Sequence, residues 1–430
     1  MEESSVVESS VVESIGPDAR EVRRLEEAGF DFKGSAAASP AGDGPISEAG
    51  RVLHRVLSDA VTAGVFPGAV ALVIKDRSVL FFQAFGKRMV TPEVEPMTCD
   101  TIFDMASLTK PLVTTTLVLQ LVDEGVIRLV DPVREFFPEF ASNPLGNATV
   151  EQLLTHTAGF PEWRPVYLHA RGREDALSFL AGLEAVAQPG ESVIYSDLGF
   201  MLLGFLVERL AGRTLEVLAR ESLFEPLRLQ DSTMARAADA RRTAPTEDGN
   251  LFEQGMIGPE ARNFGRWREG IIRNTVHDGN AFYVLDGTAG HAGLFSSTVD
   301  VAVLLRNLIG GNRETPLFKA LGKRYVELVG LDRTSHLSGD HRGLGWVLNR
   351  SASLLFGPSL NSRAFGHTGF TGTSVVVDPG PGDEAGREPG DAGIYILLSN
   401  RVHPGAHNTE IIGFRGRFHE FASRLVAEEE

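Results

Sequence analysis

Strand-forming text lies toward both ends of this chain, and a long, mostly helical stretch separates the two groups. Residues 70–74 and 79–85 are β-rich runs on either side of Lys75-Asp76-Arg77-Ser78, the arrangement of a hairpin. Ahead of them Ser47 is placed as an N-cap, Val52, Val56, Leu57, Ala60 and Val61 recur at helical spacing, and Gly64 fits the glycine that ends a helix. Strand-like text returns at 364–378 and 394–400, with a Pro, Gly and acidic loop at 379–393, and the pattern predicts a final amphipathic helix over 410–427. Between 111 and 340 the text is mostly helical, with cap-like Thr149, Thr214 and Thr298 and a glycine stop at Gly212. Strands so far apart in sequence pair in one sheet only if the stretch between them is carried as an insert. We therefore expect an α/β chain of the α+β type: an antiparallel sheet from N- and C-terminal segments, flanked by helices, with an inserted mostly helical subdomain and a cleft between sheet and insert.

Residues 1–45 read differently. They contain the near-repeat Glu3-Ser4-Ser5-Val6-Val7-Glu8 and Glu8-Ser9-Ser10-Val11-Val12-Glu13, then a Gly, Ala, Ser and Pro-rich stretch ending at Pro45. We expect a mobile tail with a short amphipathic helix near 18–28. The 430 residues then divide into this tail and one catalytic domain over 46–430, with a sheet subdomain at 46–106 and 340–430 and a helical subdomain at 107–339.

Ser107-Leu108-Thr109-Lys110 opens the helical stretch. Positions i and i+3 of a helix share a face, so the Lys110 amine can reach the Ser107 hydroxyl, the arrangement a serine needs for acyl transfer. Taken alone, the pattern fits a surface pair capping a helix equally well. Two later segments change that: Tyr195-Ser196-Asp197, and His367-Thr368-Gly369 between strand-like runs.

In order and spacing these three segments resemble the signature elements of the serine β-lactamase and penicillin-binding-protein superfamily: S-x-x-K, then Y-x-N, then K-T-G or H-T-G. The tyrosine in the second segment is similar to the class C β-lactamase-like serine hydrolase branch. So are Leu153-Leu154-Thr155-His156-Thr157-Ala158-Gly159-Phe160, Pro226-Leu227-Arg228-Leu229-Gln230-Asp231-Ser232-Thr233 and Gly290-His291-Ala292-Gly293-Leu294-Phe295-Ser296. The resemblance covers roughly residues 46–425 and implies a β-lactamase/transpeptidase-like fold with Ser107, Lys110 and Tyr195 as catalytic residues. It further implies an oxyanion hole from the backbone N–H groups of Ser107 and Phe370, and substrate binding by Asp197, His367, Thr368 and Gly369.

A serine hydroxyl is a poor nucleophile near neutral pH, so a base must take its proton as the new bond forms. Lys110 can do this only when neutral, which asks for a shift of about 3 units from its reference value. Burial and the positive end of a helix both push that way. Tyr195 is the other candidate base, and a nearby ammonium would favour its phenolate, so the two form a coupled pair.

Two positions depart from the family pattern. Asp197 stands where Asn is usual; when ionised it accepts hydrogen bonds but donates none, and it favours a charged Lys110, which moves the base role toward Tyr195. His367 stands where Lys is common, and a mostly neutral imidazole attracts a substrate carboxylate weakly. Both count against β-lactamase activity. His277, Asp278, Asn280 and His291 carry more polar groups than a connector needs and are expected to line the cleft, although Asp278-Gly279 also reads as a simple turn.

No H-E-x-x-H or cysteine cluster is present, and Pro404 and Gly405 between His403 and His407 argue against a helical ligand pair, so no metal is expected. No cofactor is expected either. The net charge of −16 disfavours nucleic acid and anionic membrane as partners. Cys99 is the single cysteine, no apolar run is long enough to span a bilayer, and the first residues lack the pattern of a signal peptide, so a cytoplasmic location is the default expectation. The expected activity is a serine hydrolase forming an acyl-enzyme on Ser107 and cleaving an amide or ester of a small peptide-like or cell-wall-derived molecule. A D-alanyl-D-alanine carboxypeptidase, a β-lactamase and a non-turnover penicillin-binding sensor are the alternatives. Oligomeric state is not legible.

Overall fold

The structure is a computed structural model that describes residues 12, 14–32, 47–310, 316–350, 353–380 and 392–428. Its strands are β1 (Ser14–Ile15), β2 (Asp31–Phe32), β3 (Gly68–Lys75), β4 (Ser78–Met89), β5 (Glu95–Pro96), β6 (Ile102–Asp104), β7 (Thr233–Met234), β8 (Leu294–Ser297), β9 (Val347–Leu348), β10 (Phe365–Thr368), β11 (Ser374–Asp378) and β12 (Gly393–Ser399). The main sheet runs β1-β4-β3-β12-β11-β10-β9, with β2 and β5 added along β4. Its centre joins the two ends of the chain: β3 pairs antiparallel with β12, Val70 opposite Leu398, Leu72 opposite Ile396 and Ile74 opposite Ile394.

Both faces of this sheet are covered, which is why its central strands read as continuous apolar runs. Val70, Leu72 and Ile74 point into one core, and Ala69, Ala71 and Val73 into another. The second core is closed by helix Glu48–Thr62, through Leu53, Val56, Leu57 and Ala60, and by helix Ile411–Glu428, through Phe414, Phe418, Ala422 and Leu425. The first is closed by the insert, through Leu112, Val113, Leu117 and Val118 and through Val301, Ala302 and Leu305 of helix Thr298–Leu308. Each such fully buried aliphatic side chain contributes about 1.5–3 kcal/mol relative to exposure.

Besides its helices the insert carries strand: β6 pairs with β8, and β7 with β8, so a small three-stranded sheet ties the insert to the segment leading into Ser107. Ser297, one residue before Thr298, caps helix Thr298–Leu308. The segment 14–32 is not a mobile tail. β1 and β2 both pair with β4, and helix Ala19–Glu27 starts at a capping box between Asp18 and Glu21. Leu25 and Phe30 are buried, and the Arg24 guanidinium is closed between the carboxylates of Asp231, at 2.6 Å, and Asp300. Composition hid this because ion pairing and a few apolar contacts, rather than a long hydrophobic run, hold the segment down. Residues 1–11, 13 and 33–46, the rest of the expected tail, lie outside the described residues, as does most of the 379–393 loop.

Candidate active site

The segment into Ser107 is held from both sides. Asp104, the buried last residue of β6, accepts the N–H of Ala106 on Oδ1 at 2.8 Å and the N–H of His277 on Oδ2 at 2.7 Å. Ala106 has φ of +46°, a left-handed conformation that costs a residue with a Cβ about 1–2 kcal/mol and persists only where its surroundings enforce it. The 3₁₀ turn Ala106–Leu108 and the wide turn Lys110–Thr115 precede helix Thr116–Asp123, so Ser107 and Lys110 do not share a regular α-helix. They still meet: Lys110 Nζ is 2.8 Å from Ser107 Oγ.

Lys110 is fully buried, and its Nζ also lies 2.7 Å from Asp197 Oδ1, donates to the His291 carbonyl at 3.3 Å and sits 4.9 Å from the Tyr195 ring centroid. Burial pushes the ammonium toward its neutral form, but the Asp197 carboxylate and Tyr195 more than offset this, and its pKa lies above the ordinary lysine value. Burial alone would favour a neutral Lys110; the counter-charge of Asp197, which the sequence already set against it, decides for the ammonium.

Tyr195 is held by its chain neighbour Ser196 and by the ring of His156. Ser196 caps helix Asp197–Ala211, accepting the Gly199 N–H at 3.2 Å and donating to the Pro161 carbonyl at 2.6 Å. The Ser196 N–H donates to His156 Nδ1 at 3.0 Å, and the His156 ring packs 4.5 Å from that of Tyr195. Arg342 and His367 complete the surround, with the guanidinium carbon 5.5 Å and the imidazole centroid 6.0 Å from the Tyr195 centroid.

His367 is buried on β10 with Nδ1 2.8 Å from the Thr368 carbonyl. Burial first, then the positive charges of Lys110 and Arg342, hold its pKa well below the ordinary histidine value, so it is neutral. Beyond Thr368 the chain turns through Gly369–Thr373 and is fastened to the segment leading into Ser107. Thr371 Oγ1 donates to the Asp104 carbonyl at 2.7 Å and Thr373 Oγ1 to the Met105 carbonyl at 3.2 Å. A Cβ on Gly369 would stand 2.1 Å from Thr373 Oγ1 and 2.5 Å from the Met105 oxygen, so only glycine permits this approach. Phe370, on the same turn, stacks against His277 and packs on Phe252.

The four polar residues expected to line the cleft are each tied to a partner in the fold. His277 Nε2 is 2.9 Å from Glu247 Oε1, His291 Nε2 is 3.0 Å from Asp278 Oδ1, and Asn280 Nδ2 donates to the Arg164 carbonyl at 2.9 Å. Asp278 also caps helix Gly279–Val284, so the turn reading of Asp278-Gly279 is realised as a cap. Burial pushes the Asp278 carboxyl up, but His291 outweighs it and the pKa is lowered. Sequence reasoning missed Asp104, Glu247 and Arg342. Asp104 lies three residues before Ser107, a local signal that could have been used; Glu247 and Arg342 carried none. Among the described residues no group of three or more His, Cys, Asp or Glu is arranged to hold a metal, and no helix is long and apolar enough to cross a membrane.

The β-lactamase family profile matches residues 53–413. A provisionally named D-alanyl-D-alanine carboxypeptidase of Escherichia coli O157:H7 is 32% identical over 355 residues, 76% of this chain and 79% of that protein. An N-acetylmuramyl-L-alanine amidase of Bacillus subtilis (strain 168) is 31% identical over 355 residues, 76% of this chain and 78% of that protein. Among solved structures, a class C β-lactamase mutant superposes with a TM-score of 0.66 at 16% identity, covering 88% of this chain and 98% of that one. A penicillin-binding protein homologue from Caulobacter crescentus gives 0.64 at 21%, covering 89% and 99%. These two likenesses carry the fold, and the family match carries the rest: this chain belongs to the β-lactamase family and is a serine hydrolase.

Proposed function

We propose that Ser107 is the nucleophile of an acyl-transfer reaction that cleaves an amide or ester of a small peptide-like or cell-wall-derived molecule, an N-acetylmuramyl-L-alanine amide foremost. The observation that carries this is the buried Lys110 Nζ, 2.8 Å from Ser107 Oγ and 2.7 Å from Asp197 Oδ1. A lysine held as an ammonium donates to Oγ and cannot accept its proton, so the base role falls to Tyr195. With Tyr195 acting as the phenolate, its oxygen takes the Ser107 proton as Oγ bonds to the acyl carbon, and the carbonyl π pair moves onto oxygen. The backbone N–H groups of Ser107 and Phe370 are the assigned donors to that oxyanion. Collapse expels the amine or alcohol, which takes the proton, and water then hydrolyses the ester on Ser107.

The amidase reading is preferred because a neutral His367 supplies no cation for a C-terminal carboxylate, and Asp197 supplies no donor for a carbonyl. A relative of comparable similarity carries the amidase name. The carboxypeptidase and β-lactamase readings keep the same nucleophile and differ only in the acyl donor, and a sensor would acylate without turnover. Intact-mass measurement after incubation with a fluorophosphonate, and separately with a penicillin, tests the nucleophile. The expected adduct appears on the wild type and vanishes in Ser107→Ala; no adduct on the wild type with either probe would overturn the assignment. Hydrolysis of muropeptides, aryl esters and β-lactams then ranks the substrates, and turnover of β-lactams alone would replace the amidase reading.

A further inference from the structure

A charge outside the three signature segments stands beside Tyr195. Arg342 is 4% exposed and lies on the chain just ahead of β9, with its guanidinium over the Tyr195 ring. Its Nη2 donates to Asp340 Oδ2 at 2.9 Å, but no acceptor among the described residues reaches its Nε or Nη1. Asp340 is 39% exposed, so solvent screens it and it neutralises the buried guanidinium only in part. Burying a cation with two of its three nitrogens unmatched is unfavourable, and packing alone gives no reason for an arginine there.

The other groups facing Tyr195 show what the charge does. They are Lys110, His156 and His367, with Asp197 two residues along the chain and bound to Lys110. His156 accepts the Ser196 N–H on Nδ1, and both histidines are kept neutral, first by burial and then by the neighbouring cations. The charge of Lys110 is matched by Asp197. The guanidinium is thus the least compensated positive charge near the phenol.

We propose that Arg342 is a positioning residue of the Ser107 reaction, its buried guanidinium stabilising the negative charge that Tyr195 carries when it acts as base toward Ser107. The inference rests on the reading of Tyr195 as base and Ser107 as nucleophile.

The test is the pH profile of Ser107 acylation by p-nitrophenyl acetate, read as the burst rate in wild type, Arg342→Lys, Arg342→Gln and Asp340→Asn. An opposite charge within about 4–6 Å of an acid moves its titration by about 1–3 units. Loss of the cation makes the base available only at higher pH, so the acid limb in Arg342→Gln is expected about 1 unit or more to the alkaline side, with about tenfold slower acylation on that limb. Arg342→Lys keeps the wild-type limb. Asp340→Asn, at the surface, strengthens the uncompensated charge and moves the limb to lower pH, and it stands as the test if Arg342→Gln does not fold. Repeating the comparison in a His367→Gln background removes any contribution from that imidazole, and the shift is expected to persist. An Arg342→Gln limb coincident with wild type overturns the proposal, as does an Asp340→Asn limb that stays or moves alkaline. So does a rise in KM confined to carboxylate-bearing substrates, which would make Arg342 a substrate contact. An absent acyl adduct in wild type would instead sink the underlying reading of Ser107.

Discussion

Lys110 and Asp197 form an ion pair, Nζ to Oδ1 2.7 Å, in which the lysine side chain is fully buried and the carboxylate 20% exposed. Charge on Lys110 is therefore set chiefly by a partner at the start of a different helix, with Tyr195 beside it. A chain with Asn at 197 would offer the lysine no counter-charge, and the balance between Lys110 and Tyr195 as base would tilt back toward the amine.

Asp197→Asn should accordingly uncouple the pair. Breaking a buried pair by removing one partner costs about 3–5 kcal/mol, and the lower figure of about 2 kcal/mol is expected here because Asn keeps an acceptor and water reaches the site. Urea unfolding at pH 7 measures this. The pKa of Lys110 is raised by folding, so its contribution is complete below the unfolded lysine value of about 10.4 and fades as pH rises through the folded value. The stability gap between wild type and variant is thus expected to narrow above about pH 10.5; a gap unchanged with pH would show that Lys110 is not the titrating partner.

Lys110→Ala and Tyr195→Phe are each expected to lower kcat/KM by at least about 100-fold, the lower range for acid and base catalysis. Tyr195→Phe keeps the ring that packs on His156, so its loss reports on the oxygen alone. Near-wild-type turnover in either variant would remove that residue from the mechanism.

Much of this was legible in sequence because the features involved are local or periodic. The β3–β4 hairpin, helix Glu48–Thr62 with its Ser47 cap, and helix Ile411–Glu428 follow from alternation and capping residues. The three signature segments were legible as text, and their convergence followed from a sheet built from both ends of the chain. What was not legible depends on long-range pairing. The docking of Ala19–Glu27 needs Asp231 and Asp300, the fixing of Ala106 needs His277 at the other side of Asp104, and Arg342 acquires meaning only beside Tyr195. The charge state of Lys110 stands between the two classes: the sequence set Asp197 against burial, and the contact across 87 residues shows which of them wins.

Gly369→Ala tests the fastening of the β10 turn to the nucleophile segment. The added methyl would meet the Met105 carbonyl, a backbone atom with little freedom to move. The turn is expected to shift, and misplacement of an oxyanion donor by about 1 Å is expected to lower kcat about 100-fold with a smaller change in KM. Unchanged kcat would mean that Phe370 does not depend on this approach for its position.

His419 offers a pH test remote from the site. It is fully buried on helix Ile411–Glu428, with Nδ1 2.7 Å from the Leu355 carbonyl, and burial lowers its pKa to about 3. The neutral form is the folded one, so its stabilising contribution is complete above the unfolded histidine value and is lost as pH falls from about 6.5 toward the folded value. At about 1.4 kcal/mol per pH unit for one titrating group, stability between pH 6.5 and pH 5 should fall by roughly 2 kcal/mol less in His419→Gln than in wild type. Chemical unfolding at the two pH values checks this, and equal losses would mean that the ring is protonated in the fold.

Arg24 decides whether the N-terminal segment belongs to the folded unit. Its guanidinium lies between Asp231 and Asp300, and Asp300 is fully buried, with its pKa pushed up to about 6, chiefly by burial, even with that cation beside it. Arg24→Met keeps the bulk of the side chain and removes the charge. Asp231 retains Arg242, but Asp300 is left with hydrogen bonds from Ser232 and the Asp231 N–H alone. A buried carboxylate stripped of its cation costs about 3–5 kcal/mol, and the denaturant midpoint should fall accordingly. A mobile tail would make no such contribution. If Arg24→Met left the midpoint where it was, helix Ala19–Glu27 would have to be detached in solution and the sheet would end at β4.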